Sequence, residues 1–72
     1  MKTIICGSGV VGYSIADKLS KENFEVTVID EPSNQLNKIS ENLDVKVVKG
    51  TPSLPSVLLD AGAKDCEILI AV

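Results

Sequence analysis

Arginine and histidine are both missing from this sequence. Without histidine, no side chain has an ordinary pKa near neutrality, which removes the commonest catalytic proton shuttle. Without arginine there is no planar fork to clasp a phosphate through two hydrogen bonds. The cations are seven lysines, outnumbered by ten acids for a net charge of −3, and they form no cluster. A nucleic-acid partner calls for a basic face, and an anionic lipid surface repels a mildly acidic chain, so neither is expected. Long apolar runs are missing too. The longest, Ile68 to Val72, is far too short to cross a bilayer. The opening Met1-Lys2-Thr3-Ile4-Ile5 meets Gly7 before any signal-peptide core is built. Cysteine is scarce: Cys6 and Cys66 stand in apolar settings with no CxxC spacing. They read as small buried hydrophobes, not as metal ligands or a redox pair. Together these absences predict a cytoplasmic location, with no direct insertion into a membrane.

What is present suits one folded domain spanning residues 1–72, with 44% apolar and 24% charged residues. Thr3 to Cys6 is a continuous apolar run, the pattern of a strand buried on both faces. From Val10, the apolar residues Val11, Ile15 and Leu19 recur every fourth position, with Asp17, Lys18, Lys21 and Glu22 on the other side. That spacing predicts an amphipathic helix ending near Asn23. The β-branched stretch Glu25 to Ile29, closed by Asp30, predicts a second strand. Pro32 and Ser33 open a second helix with Leu36, Ile39 and Leu43 inward. Asp44 to Val48 predicts a third strand, ending at Lys49-Gly50. Thr51 to Pro55 is a turn into a short helix carrying Val57, Leu58 and Ala61, and Gly62 is its left-handed stop. Glu67 to Val72 predicts a fourth strand. The order β-α-β-α-β-α-β gives an α/β fold: half of a Rossmann doubly wound sheet, four parallel strands in the order 3-2-1-4 with three helices.

Gly7, Gly9 and Gly12 spell GxGxxG directly after a predicted strand and at the start of a helix, inside a βαβ unit. Each position meets a different demand. Gly7 permits the tight turn, Gly9 lets a pyrophosphate approach the backbone, and Gly12 lets the helix pack close. Ser8 and Val10 line the same loop, whose backbone N–H groups and helix dipole favour phosphate. Asp30 ends the second strand at the spacing where a carboxylate accepts hydrogen bonds from an adenosine ribose. With Glu31 beside it, it repels a 2′-phosphate, so NAD or NADH is favoured over NADP, while ATP and ADP also carry a free ribose. The bland alternatives are glycines that shape an empty turn and an Asp30 that merely caps the following helix. Tyr13, Ser14 and Ser20 read as helix surface, and Lys18, Lys21 and Lys49 as solvated charges.

The stretch MKTIICGSGVVGYSIADKLSKENFEVTVIDEPSNQLNKIS, followed by VKVVKGTPSLPSVLLDAGAKDCEILIAV, resembles the TrkA-N family of nucleotide-binding domains, also called RCK or KTN. The later segment discriminates more than the glycines, which dehydrogenases share. The resemblance implies a regulatory domain of a potassium uptake system, not an enzyme. Such a domain senses NAD(H) or adenine nucleotide and reports to a membrane transporter subunit. It places the phosphate loop at Gly7, Ser8, Gly9, Val10, Val11 and Gly12, the ribose at Asp30 and Glu31, and the adenine beside Gly50 and Thr51. Ala71 and Val72 lie toward the far half of the ligand. Thr51-Pro52 departs from the acidic or polar residue and alanine usual there. The family domain also runs for roughly as much sequence again, with the remaining strands of the sheet. The fourth strand, as apolar as an interior one yet placed at an edge, predicts a homodimer or higher oligomer. Two other readings suit the residues: the cofactor-binding fragment of an NAD-dependent dehydrogenase, and a dimerising domain that binds no ligand.

Overall fold

Four parallel strands form one sheet in a computed structural model that describes residues 1–72. They are β1 (Lys2–Cys6), β2 (Glu25–Asp30), β3 (Lys46–Lys49) and β4 (Ile68–Ala71), side by side in the order β3-β2-β1-β4. The connections hold α1 (Val10–Lys21), α2 (Asn34–Asn42) and the short α3 (Pro55–Asp60). This is the architecture that the alternating element order predicts, with the strand order of the usual mononucleotide-binding arrangement.

Register decides which residues share a face. Thr3 lies beside Val26 and Ile68, and Ile5 beside Val28 and Ile70, so these point the same way. Ala16 from α1 and Leu36 and Ile39 from α2 close over that face, forming the core with Ile5, Val26 and Val28. The third connection runs the opposite way along the sheet, so a right-handed crossover carries α3 to the other face. Beneath it Ile4 and Ile29 are buried, although α3 itself buries no residue completely.

The helix ends obey local chemistry. At α1, Asn23 takes φ 66°, Phe24 N donates to Leu19 O and Asn23 N donates to Ser20 O. This double closure satisfies carbonyls that the helix leaves free, and Phe24 and Leu19 both pack against the core. The predicted stop at Gly62 is present, with φ 92°.

Several boundaries differ from the sequence reading. β3 begins at Lys46, not Asp44, because it pairs on one side only, with β2, and that pairing starts where Thr27 meets Lys46. A 3₁₀ turn at Ala63–Asp65, which the sequence reading did not include, joins α3 to β4. β4 is less covered than its composition suggests, with Leu69 54% exposed. No helix is long and apolar enough to cross a membrane.

Candidate functional site

Parallel strands deliver all their C-terminal ends to one rim of the sheet, and the loops that leave that rim meet there. The first is the glycine loop between β1 and α1. Gly7 has φ 122°, a backbone conformation that side chains rarely adopt. A methyl at Gly12 would lie 2.3 Å from the Gly7 carbonyl oxygen, so the start of α1 presses directly on the loop. Gly9 is different. It has φ −68° and ψ −165°, ordinary extended backbone, and a methyl there would meet nothing within 4 Å. Neither conformation nor packing explains a glycine at this position.

Gly9 is also the N-cap of α1. It offers no side chain to the free N–H groups of the first turn, and no acidic residue stands in that turn to neutralise the helix dipole. α2 makes the contrast, because Ser33 Oγ caps it by accepting from Leu36 N at 3.0 Å. The Ser33 cap also answers the bland reading of Asp30, which is not the cap of α2.

Asp30 turns instead toward the glycine loop. Its Oδ2 accepts from Ser8 N at 2.9 Å and from Ser8 Oγ at 2.6 Å, and Oδ1 accepts from Glu31 N at 2.7 Å. The hydroxyl bond from Ser8 is the main reason that the carboxyl is held below the usual carboxylate range. Partial burial opposes the shift, and the two amides add to it. The sequence reading assigns Ser8 only a backbone role, and the side-chain bond joins residues 22 positions apart. A hydroxyl inside a glycine loop is the signal that was there to find.

The remaining expected residues divide. Gly50 adjoins Asp30 through Gly50 N donating to Asp30 O at 2.9 Å, and a methyl on it would press on Val57 at 3.0 Å. Its glycine therefore serves the packing of α3. Thr51 is half-buried, its carbonyl accepting from Leu54 N. Val10 and Val11 are exposed, and Glu31 faces solvent. Val72 N donates to Cys6 O, and its carbonyl oxygen would lie 2.7 Å from a methyl on Gly7. Cys6 and Cys66 are free and half-buried. Burial, with a smaller contribution from Cys66, pushes the Cys6 thiol up, away from the reactive thiolate. No group of three or more His, Cys, Asp or Glu is placed to hold a metal ion.

The depressed Asp30 pKa has a definite sign in stability. A carboxyl with a lower pKa folded than unfolded contributes stability above its unfolded value, and that contribution is lost as pH falls through the folded one. The resistance of wild type to unfolding by urea should therefore fall as pH drops below about 5. Asp30→Asn should flatten that acid limb while leaving the remaining slope from other carboxylates. Equal slopes for the two proteins would contradict the assignment.

The family model described as the TrkA-N domain matches residues 3–72. The Trk system potassium uptake protein TrkA of Haemophilus influenzae is 46% identical over 72 residues, covering all of this chain and 16% of that protein. The same-named protein of Vibrio alginolyticus is 42% identical over the same span and share. A TrkA homolog of Archaeoglobus fulgidus is 35% identical, again over 16% of its length. The chain thus spans about a sixth of these relatives. Among solved structures, the Shewanella denitrificans Kef CTD in its AMP-bound form superimposes with a TM-score of 0.79 at 28% identity, covering 96% of this chain and 40% of that one.

Proposed function

The chain belongs to the TrkA-N family, and from that premise we propose that it is a nucleotide-binding regulatory domain of a potassium uptake system. The observation that carries this reading is the unexplained openness at Gly9, above an uncapped helix start and beside an anchored carboxylate. A diphosphate lies on the Gly7–Gly12 loop, where Ser8, Gly9, Val10 and Val11 surround it and the free amides of α1 donate to its oxygens. Asp30 accepts from the ribose, with Glu31 alongside. Gly50 and Thr51 border the adenine, and Ala71 and Val72 face the far half. The ligand is NAD or NADH, with ATP, ADP or AMP sharing the adenosine end. The two acids and the missing arginine disfavour a 2′-phosphate.

The domain senses and does not catalyse. The polar side chains at the rim include Ser8, Asp30, Glu31, Lys49 and Thr51, and Ser8 is bound to a carboxylate with no histidine to activate it. Occupancy is read by a membrane potassium transporter subunit on the cytoplasmic side, with the domain working as a homodimer or higher oligomer through the β4 edge.

Isothermal titration of the 72-residue chain with NAD, NADH, ATP and ADP tests the binding reading. At least one should bind, and Asp30→Ala should weaken it about 10-fold or more, the worth of a hydrogen bond to a charged acceptor. If none of the four binds, the sensing role is lost whatever the ancestry of the fold.

A further inference from the structure

Resting on the reading of Asp30 as the sugar acceptor, we propose that the Ser8 hydroxyl is a specificity-determining occupant of that carboxylate. It takes the acceptor position that the second hydroxyl of a sugar cis-diol needs. An ionised carboxylate offers about four lone-pair positions. Three are filled in the structure: two on Oδ2 by Ser8 N and Ser8 Oγ, and one on Oδ1 by Glu31 N. A ribose brings two donors to a group with room for one. A 2′-deoxyribose brings one and fits without displacement.

The three occupants are not equally replaceable. The two amides belong to the backbone and already hold the carboxylate from both sides, so the hydroxyl adds little to its orientation. It is also the only one of the three that leaves by rotating a single bond. Leaving has a cost, because Ser8 is 2% exposed and its hydroxyl then loses its acceptor. Wild type therefore discounts the diol relative to the single hydroxyl. The charged groups beside Asp30 are Glu31, next in the chain, and Lys49, its register partner on β3; the first turn of α1 brings none. No ion pair with Lys49 competes for the open position.

The test measures Kd for AMP and for 2′-deoxy-AMP on wild type, Ser8→Ala and Ser8→Thr, with circular dichroism confirming the fold. Ser8→Ala should tighten AMP about 10-fold, roughly one hydrogen bond to a charged acceptor, and leave 2′-deoxy-AMP within about 2-fold. Their ratio then rises about 10-fold, whereas Ser8→Thr, which keeps the hydroxyl, holds the wild-type ratio. A carboxyl titration by NMR should show the Asp30 pKa rising in Ser8→Ala without any ligand, which ties the change to the lost bond. An unchanged ratio, or equal weakening of both ligands, overturns the role of Ser8 and leaves the sugar site standing. Failure of wild type to bind either ligand removes the sugar site itself and this role with it. If Ser8→Ala does not fold, Ser8→Cys, with a weak thiol donor, reads the same ratio in the same direction.

Discussion

Gly12→Ala is expected to lose about 2 kcal/mol of stability, whereas Gly9→Ala, three residues earlier, stays within about 1 kcal/mol of wild type and loses ligand. The two substitutions add the same methyl. At Gly12 it would sit 2.3 Å from the Gly7 carbonyl oxygen and 3.0 Å from the Gly7 carbonyl carbon. Those are backbone atoms, fixed by Gly7 N donating to Ile29 O, and they cannot swing aside as a side chain does. Overpacking of this kind costs about 3 kcal/mol at the upper end of the usual range. The better helix propensity of alanine offsets about 1 of that. A domain of this size holds about 4–11 kcal/mol in all, so the loss is a large share of the total. With a urea m-value of about 1 kcal/mol/M, the midpoint should fall by about 2 M. At Gly9 the methyl meets nothing and the backbone is ordinary, so only the weaker N-cap is felt. On the proposed reading the methyl stands where the diphosphate approaches, and nucleotide affinity should drop by at least about 10-fold, since both the contact and the amide geometry are lost. Equal midpoints for Gly12→Ala and wild type would refute the close packing. Unaltered affinity in Gly9→Ala would refute the phosphate position.

The contrast between those glycines also marks how far sequence reaches. Spacing alone assigns distinct demands to Gly7, Gly9 and Gly12, and the structure shows two of them, the positive φ at Gly7 and the close approach at Gly12, because strand, turn and helix follow each other within a short local segment. The β-branched runs at Thr3–Cys6 and Glu25–Ile29 placed β1 and β2 closely, since strands inside the sheet carry the strongest pattern. Edge elements are less legible in the sequence. β3 lost Asp44 and Val45, and β4 kept exposed the side chains that its composition would bury, because an apolar run records what a strand tolerates and not which neighbours it has. The Ser8–Asp30 bond lay beyond any periodicity: it depends on two chain segments meeting at the rim of the sheet. So does the Thr3 hydroxyl, which is buried without a hydrogen-bond partner on the face covered by α1 and α2. A strand-favouring β-branched residue conceals that cost in the pattern.

Leu36→Ala should cost about 2–5 kcal/mol, the range for removing a fully buried leucine side chain. Leu59→Ala should cost less than about 1 kcal/mol, as expected for a change at a largely exposed position. The two leucines sit on helices that cover opposite faces of the same sheet. Leu36 is 0% exposed and joins Ile39 in the cluster with Ile5, Val26 and Val28, so its loss leaves a cavity under α2 that the neighbouring strands are too rigid to fill. Leu59 is 53% exposed on α3, a helix that buries none of its residues completely. For a domain of this size each kcal/mol moves Tm by about 4–8 °C. Leu36→Ala should therefore melt at least about 8 °C below wild type, and Leu59→Ala by a smaller margin. The consequence reaches the candidate site, because α1 shares the Leu36 face, and its first turn holds the free amides to which the proposed ligand is assigned. Loosening this face should weaken nucleotide binding along with stability, whereas loosening the α3 face should touch the phosphate end little. If Leu59→Ala proved as costly as Leu36→Ala, the sheet would be held from both sides equally, and the α1–α2 face would lose its place as the support of the glycine loop.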